Sequence, residues 1–154
     1  MSEYVTDLEI RPATADDVPA IVALLADDFL GATREDRTDL TPYLEAFALA
    51  DADPNQHIAV AERDGHIVGT LQLSVIQGLS LRAARRAQIE GVRVHREERG
   101  SGLGTTLMEW AATRARELGC SIVQLTSNAQ RTDAHRFYER LGYEPSHIGF
   151  KLAL

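Results

Sequence analysis

The sequence predicts an α/β fold: one domain with a mixed sheet and helices on both of its faces. Three observations predict it. Two apolar runs, residues 57–62 and 66–75, flank Arg63, Asp64 and Gly65, and an Asp-Gly pair between such runs marks a hairpin. Residues 102–118 set Leu103, Leu107, Ala111, Ala115 and Leu118 on one helical stripe, with Gly119 as the stop. The remaining segments alternate in period, so that the elements read β-α-α-β-β-β-α-β-α-β.

Taken in order, residues 8–12 form a short strand ended by Pro12. A helix opens near Thr14 and runs to about Phe29, its apolar face made by Val18, Ile21, Val22, Leu24 and Leu25. Residues 31–39 are polar and read as an exposed loop. Pro42 begins a second helix, residues 42–49, and residues 51–55 break it. After the hairpin, residues 79–86 carry Arg82, Arg85 and Arg86 and read as a mobile connection. Residues 88–94 return to a strand, residues 102–118 form the longest helix, and residues 121–126 form another strand. Asp133 caps a helix that ends at Leu141 and Gly142, and residues 146–152 supply a last strand. No repeat or linker divides the chain, so a single domain over residues 1–154, with its core in 8–154, is expected.

Composition narrows the partners. The 154 residues carry 23 Asp and Glu against 16 Lys and Arg, a net charge of −7, which argues against nucleic-acid binding. Acidity is compatible with a cationic or amine-bearing small molecule. The lone cysteine, Cys120, excludes an internal disulfide and fits a reducing, cytoplasmic setting. No apolar run is long enough to cross a membrane, and the acidic N-terminus does not read as a signal peptide.

The most informative stretch is Arg99, Gly100, Ser101, Gly102, Leu103, Gly104 and Thr105, between a strand and the longest helix. Glycines let backbone N–H groups converge, and the helix adds the positive end of its dipole. The product is a cradle for a phosphate or pyrophosphate. A P-loop would need a lysine that residues 100–106 lack, and a dinucleotide fold would space its glycines differently. The spacing Arg99-x-x-Gly102-x-Gly104 resembles the pyrophosphate-binding segment of the GNAT superfamily of acyl-CoA-dependent N-acetyltransferases. About 30 residues later, residues 133–143 (DAHRFYERLGY) resemble that family's second signature. The ending, with residues 133–138 (DAHRFY), Gly142, Tyr143, Ser146, His147 and Phe150, is also similar to the aminoalkylphosphonate N-acetyltransferases within it.

The resemblance implies a GNAT-like, mostly antiparallel mixed sheet of six or seven strands flanked by about four helices. It implies that Val92, Arg93 and Val94 pair through their backbone with the pantetheine arm of acetyl-CoA, as an added strand would. Arg99, Gly100, Ser101, Gly102, Leu103, Gly104 and Thr105 would hold the pyrophosphate, and Asn128 would hydrogen-bond the pantetheine. Asn128 departs from the commonest family spacing, which Arg131 occupies. Tyr138 is the candidate general acid for the leaving thiolate, and Glu90 the candidate base for the amine, directly or through water. On an extended strand Glu90 faces the same side as Gln88, Val92 and Val94. Asp28, Phe29 and Gln88 are candidate acceptor contacts, Asp28 for an ammonium group; Arg82, Arg85 or Arg86 could take a carboxylate or phosphonate. No histidine or acidic cluster has metal-ligand spacing, so no metal is expected. The expected partner is a small-molecule amine, with no nucleic acid and no membrane, and a homodimer is compatible with the family. A protein N-terminal or lysine acetyltransferase and a non-catalytic acyl-CoA-binding module remain the alternatives.

Overall fold

The computed structural model describes residues 8–154. The expectation about a signal peptide falls on residues 1–7, outside the described residues. Tertiary contacts divide the chain into two compact units, Met1–Gln124 and Leu125–Leu154.

A five-stranded sheet carries the strands in sequential order: β1 (Leu8–Pro12), β2 (Gln56–Arg63), β3 (His66–Gln77), β4 (Arg85–Val94) and β5 (Ile122–Leu125). The first four are antiparallel neighbours. The helices are α1 (Val18–Ala26), α2 (Gly31–Arg34), α3 (Thr41–Ala52), α4 (Ser80–Ala83), α5 (Leu103–Glu117) and α6 (Thr132–Arg140). The fold is therefore α/β as expected, but with five strands and six helices among the described residues. The expected six or seven strands and four helices need correction. Residues 146–152 have strand-like alternation, yet no strand is formed there, and Ile148, Phe150 and Leu152 are exposed. Alternation alone makes a strand only where a neighbouring backbone accepts its hydrogen bonds.

The extra helices are short, and both have local causes. Gly31 N–H donates to the Asp28 carboxylate, which caps α2 within the stretch expected to be loop. α4 is a single turn in which Leu81 and Arg82 have positive φ, so it is a tight reversal between β3 and β4. Arg85 and Arg86, expected in a mobile connection, already belong to β4. α3 runs three residues past its expected end, to Ala52, and Asp53 closes it.

The two sheet faces differ in what covers them. Ile58 and Val60 of β2 meet Val18, Val22 and Phe47 of α1 and α3. On the other face lie Ala59, Leu71, Leu73 and Ile89 with Leu107 of α5, all at most 1% exposed. Burial of each such leucine or isoleucine side chain stabilises the fold by about 1.5–3 kcal/mol. The entry to α1 is pinned separately. Asp17 is buried, accepts from Arg11 Nη1 at 2.8 Å and Nη2 at 3.1 Å, and also accepts from Thr14 N–H at 2.8 Å. Arg11 reaches Glu62 of β2 as well, at 3.2 Å, so one guanidinium joins β1, β2 and the start of α1.

Arg11 holds the Asp17 carboxyl below the ordinary carboxylate range, against the opposing pull of burial. A depressed native pKa stabilises the fold above the unfolded value of ~3.9, and that contribution disappears as pH falls through the native pKa. Asp17→Asn is expected to lower stability at pH 7 and to flatten the acid limb below about pH 4. Urea titrations across that range measure both effects.

Candidate functional site

β4 is not a regular strand. Thr70 pairs with Arg93 and Gln72 with Glu90, so Leu71 alone on β3 faces Gly91 and Val92 together. This is a β-bulge, and Gly91 carries it at φ 62°, a conformation other residues adopt only with strain. The bulge resets which side each residue faces. Gln88 and Glu90 pair with Ser74 and Gln72, and Arg93 with Thr70, so these three share one face. Val94 pairs with Gly69 and lies on the opposite face, with Ile89 and Leu71. The expected grouping of Glu90 with Val94 is therefore broken by one extra residue.

On the Glu90 face, α1 and α3 overhang the sheet and leave a cleft of about 220 Å³. Its walls are mostly apolar, including Ile21, Leu25, Phe47 and Ile58, and Glu90 and Gln72 lie along its lining. Glu90 itself is exposed. Beside it runs a row of amides that the sequence reading only partly found. Gln56 Oε1 accepts from Gln72 at 3.0 Å and from Ser74 at 2.7 Å, and Gln88 Oε1 accepts from Gln124 at 2.8 Å. The signal was present, since these residues all stand at even-numbered positions on four strands, but it needed the strand register to become a row.

Asp28 does not stand open to solvent as a simple ammonium site. It caps α2 through Gly31 N–H and lies 3.7 Å from Arg93 Nε. Arg93 also donates to the Val92 carbonyl at 2.9 Å. The end of α1 is thereby tied to the bulge in β4. Phe29 follows Asp28 and is 65% exposed.

β5 lies parallel to β4. Ser121 N–H donates to the Arg85 carbonyl, and Gln124 meets Gln88, with the same offset in each pair.

Just beyond β4, a 3-10 turn at Arg96–Glu98 is anchored by Glu98, which accepts from Arg63 at 2.8 Å. The glycine turn follows, with Gly100 at φ 82° and Gly102 at φ 87°. Both torsions are left-handed, which is why glycine stands at these positions. Leu103 is buried and seats the first turn of α5, while Ser101 Oγ accepts from Leu103 N–H at 3.3 Å. Among the described residues, no backbone acceptor meets the N–H groups of Gly100, Gly102, Gly104 and Thr105. The helix start accounts for the last two, whose intrahelical acceptors do not exist. Converging free donors at a helix N-terminus suit an anion.

The second unit holds Asn128 and Tyr138. Asn128 Oδ1 accepts from Gln130 N–H at 2.9 Å, and its carbonyl accepts from Arg131 N–H and lies 2.8 Å from His135 Nε2. Much of Asn128 is thus engaged in shaping its own turn. Tyr138 lies on α6, half-buried, with Phe137 and Tyr143 edge-on at 5.2 and 6.0 Å between ring centroids. Burial pushes the Tyr143 phenol pKa up. Among the described residues, no three His, Cys, Asp or Glu side chains gather as a metal-binding group, and no helix is long and apolar enough to cross a membrane.

Residues 18–143 match the family model of the acetyltransferase (GNAT) family. The chain belongs to that family. It is 34% identical over 146 residues to the aminoalkylphosphonate N-acetyltransferase of Salmonella typhimurium (strain LT2), a match covering 95% of this chain and 91% of the relative. Among solved structures it is similar to a transcriptional regulator from Bacillus halodurans C-125, with 43% identity, a TM-score of 0.91, and 96% and 99% of the two chains covered. A putative acetyltransferase from Agrobacterium tumefaciens C58 is 27% identical, with a TM-score of 0.83 and 95% and 99% covered. As a GNAT member the protein is an N-acetyltransferase that uses acetyl-CoA as its acyl donor.

Gly102 has open space where a Cβ would stand, so its cost on substitution is torsional, not steric. Gly102→Ala is expected to destabilise the protein by about 1–2 kcal/mol, read from the denaturant midpoint.

Proposed function

We propose that the protein transfers the acetyl group of acetyl-CoA to the primary amine of a small-molecule acceptor by direct attack. The observation that carries the proposal is the glycine turn, where the N–H groups of Gly100, Gly102, Gly104 and Thr105 meet no backbone acceptor among the described residues, a few residues after the bulge in β4. Pantetheine amides can add to a strand as a peptide would. In this reading Val92, Arg93 and Val94 hold the pantetheine through their backbone. Arg99, Gly100, Ser101, Gly102, Leu103, Gly104 and Thr105 hold the pyrophosphate, and Asn128 adds a hydrogen bond to the arm. The small-molecule class is supported by the name of the Salmonella relative, which acts on aminoalkylphosphonates.

A thioester is already activated, so no covalent enzyme intermediate is required. Three demands remain. The amine must lose its proton before it attacks, the developing oxyanion needs a donor, and the thiolate must be protonated as it leaves. Glu90 serves the first, directly or through one water. Its position on the face that carries the cleft and the amide row supports that role. A backbone N–H of the strand beyond the bulge, at Val94 or a neighbour, serves the second. The Tyr138 phenol serves the third. Asp28, Phe29 and Gln88 line the acceptor side, with Asp28 acting through its hold on Arg93 and Gln88 through its amide pair.

A panel of amino acids, aminophosphonates, polyamines, aminoglycosides and an N-terminal peptide, scored by free thiol release, tests the acceptor class. Turnover confined to the peptide would replace the small-molecule reading. Glu90→Gln is expected to lower kcat by about 10²–10⁴-fold while KM for acetyl-CoA barely moves. Its loss should be greatest at low pH, where the free amine is scarcest; an unchanged pH–rate profile removes Glu90 as the base. Tyr138→Phe is expected to lower kcat by about 10²-fold. A wild-type rate in that variant removes the phenol as the acid.

A further inference from the structure

We infer that Arg86 is the anion-binding residue of the acceptor site and selects amines that carry an acid group at their far end. The inference rests on the acetyltransfer reading above and extends it to a residue and a substrate class. It starts from the arginines. Arg11 pairs with Asp17 and Glu62, Arg63 with Glu98, Arg93 with Asp28, Arg96 with Asp27, and Arg114 with Glu117. In the first unit these ion pairs leave out two half-buried arginines among the described residues, Arg85 and Arg86. A cation withdrawn from water without a carboxylate is costly unless something else offsets its desolvation.

Strand register separates the two. Arg85 pairs with Gln77 and falls on the face of Ala87 and Ile89, which α5 covers. Arg86 pairs with Ile76 and falls on the face of Gln88 and Glu90. Its hydrogen bond, from Nη1 to Gln124 Oε1, is long at 3.4 Å and goes to a neutral amide. Gln124 is held in turn by Gln88. A guanidinium fork keeps five donors, so a neutral amide at that distance leaves most of its capacity unused.

Arg86, Gln88 and Glu90 therefore stand in line on one face of β4: guanidinium, amide, carboxylate. About 13 Å of strand separates the Cα atoms of the outer two. Both side chains are long and rotatable and rise from the same face, so an acceptor laid along the strand between them can reach both charged ends. An acceptor with its ammonium at Glu90 and a phosphonate or carboxylate at Arg86 would be complementary at both ends. The bidentate geometry of a guanidinium suits either anion. The cleft walled by α1 and α3 offers no cation of its own, so the acid end belongs at Arg86 and not there.

The experiment compares wild type, Arg86→Gln and Arg86→Lys with aminopropylphosphonate, β-alanine and aminopropanol, together with calorimetric binding of propylphosphonate, which has no amine to acetylate. Arg86→Gln is expected to raise KM for the anionic amines by about 10- to 100-fold and to leave aminopropanol within about twofold. Arg86→Lys recovers part of the loss, because it restores a point charge without the fork. The larger loss between phosphonate and carboxylate identifies which anion the site prefers. Equal losses on aminopropanol, or none on either anionic amine, overturn the assignment. Propylphosphonate binding that Arg86→Gln abolishes, in a protein that acetylates no amine, keeps the anion subsite and removes the acetyltransfer reading.

Discussion

The extra residue in β4 governs the site. A strand can present its side chains to two faces only in strict alternation, and each face here is already committed. One is filled by α5, whose Leu107 reaches the sheet opposite the interior residues Leu71, Leu73 and Ile89. The other is covered by α1 and α3 only in part. Without the bulge, Arg93 would turn toward the apolar layer under α5, and its partnership with Asp28 would be lost. With it, Glu90 and Arg93 share the polar face while Val94 stays with the apolar one. Gly91 makes this shift cheap, since its left-handed torsion costs glycine little.

Several features follow from that reset. Asp28 can reach Arg93, so the end of α1 and the cap of α2 are held against β4. The glycine turn then starts α5 with the N–H groups of Gly100, Gly102, Gly104 and Thr105 meeting no backbone acceptor among the described residues, while Leu103 anchors the same helix in the core. A buried anchor next to unsatisfied donors is how a helix start can be rigid and still be available to a ligand.

The polar face also shows how a sheet builds specificity. Gln56, Gln72, Ser74, Gln88 and Gln124 come from four strands and form two hydrogen-bonded groups, Gln56 with Gln72 and Ser74, and Gln88 with Gln124. Such pairings hold amides in fixed orientations beside a carboxylate and a guanidinium. Loop residues such as Phe29 can vary around them without disturbing the row, because the row is carried on strands.

The local sequence was enough to establish the α/β class, the hairpin at Asp64 and Gly65, the long helix after the glycine turn and the family resemblance. Each of these depends on spacing within a few residues, which the chain carries wherever it goes. Tertiary structure alone decided the rest. Residues 146–152 have the period of a strand but gained no ladder, and Asp28 turned from a free carboxylate into a cap and an arginine partner. The faces of Glu90 and Val94 parted at a bulge that exists only because β3 lacks a matching residue. Those outcomes depend on partners distant in sequence, and a linear pattern holds no record of which backbone or charge will arrive opposite it.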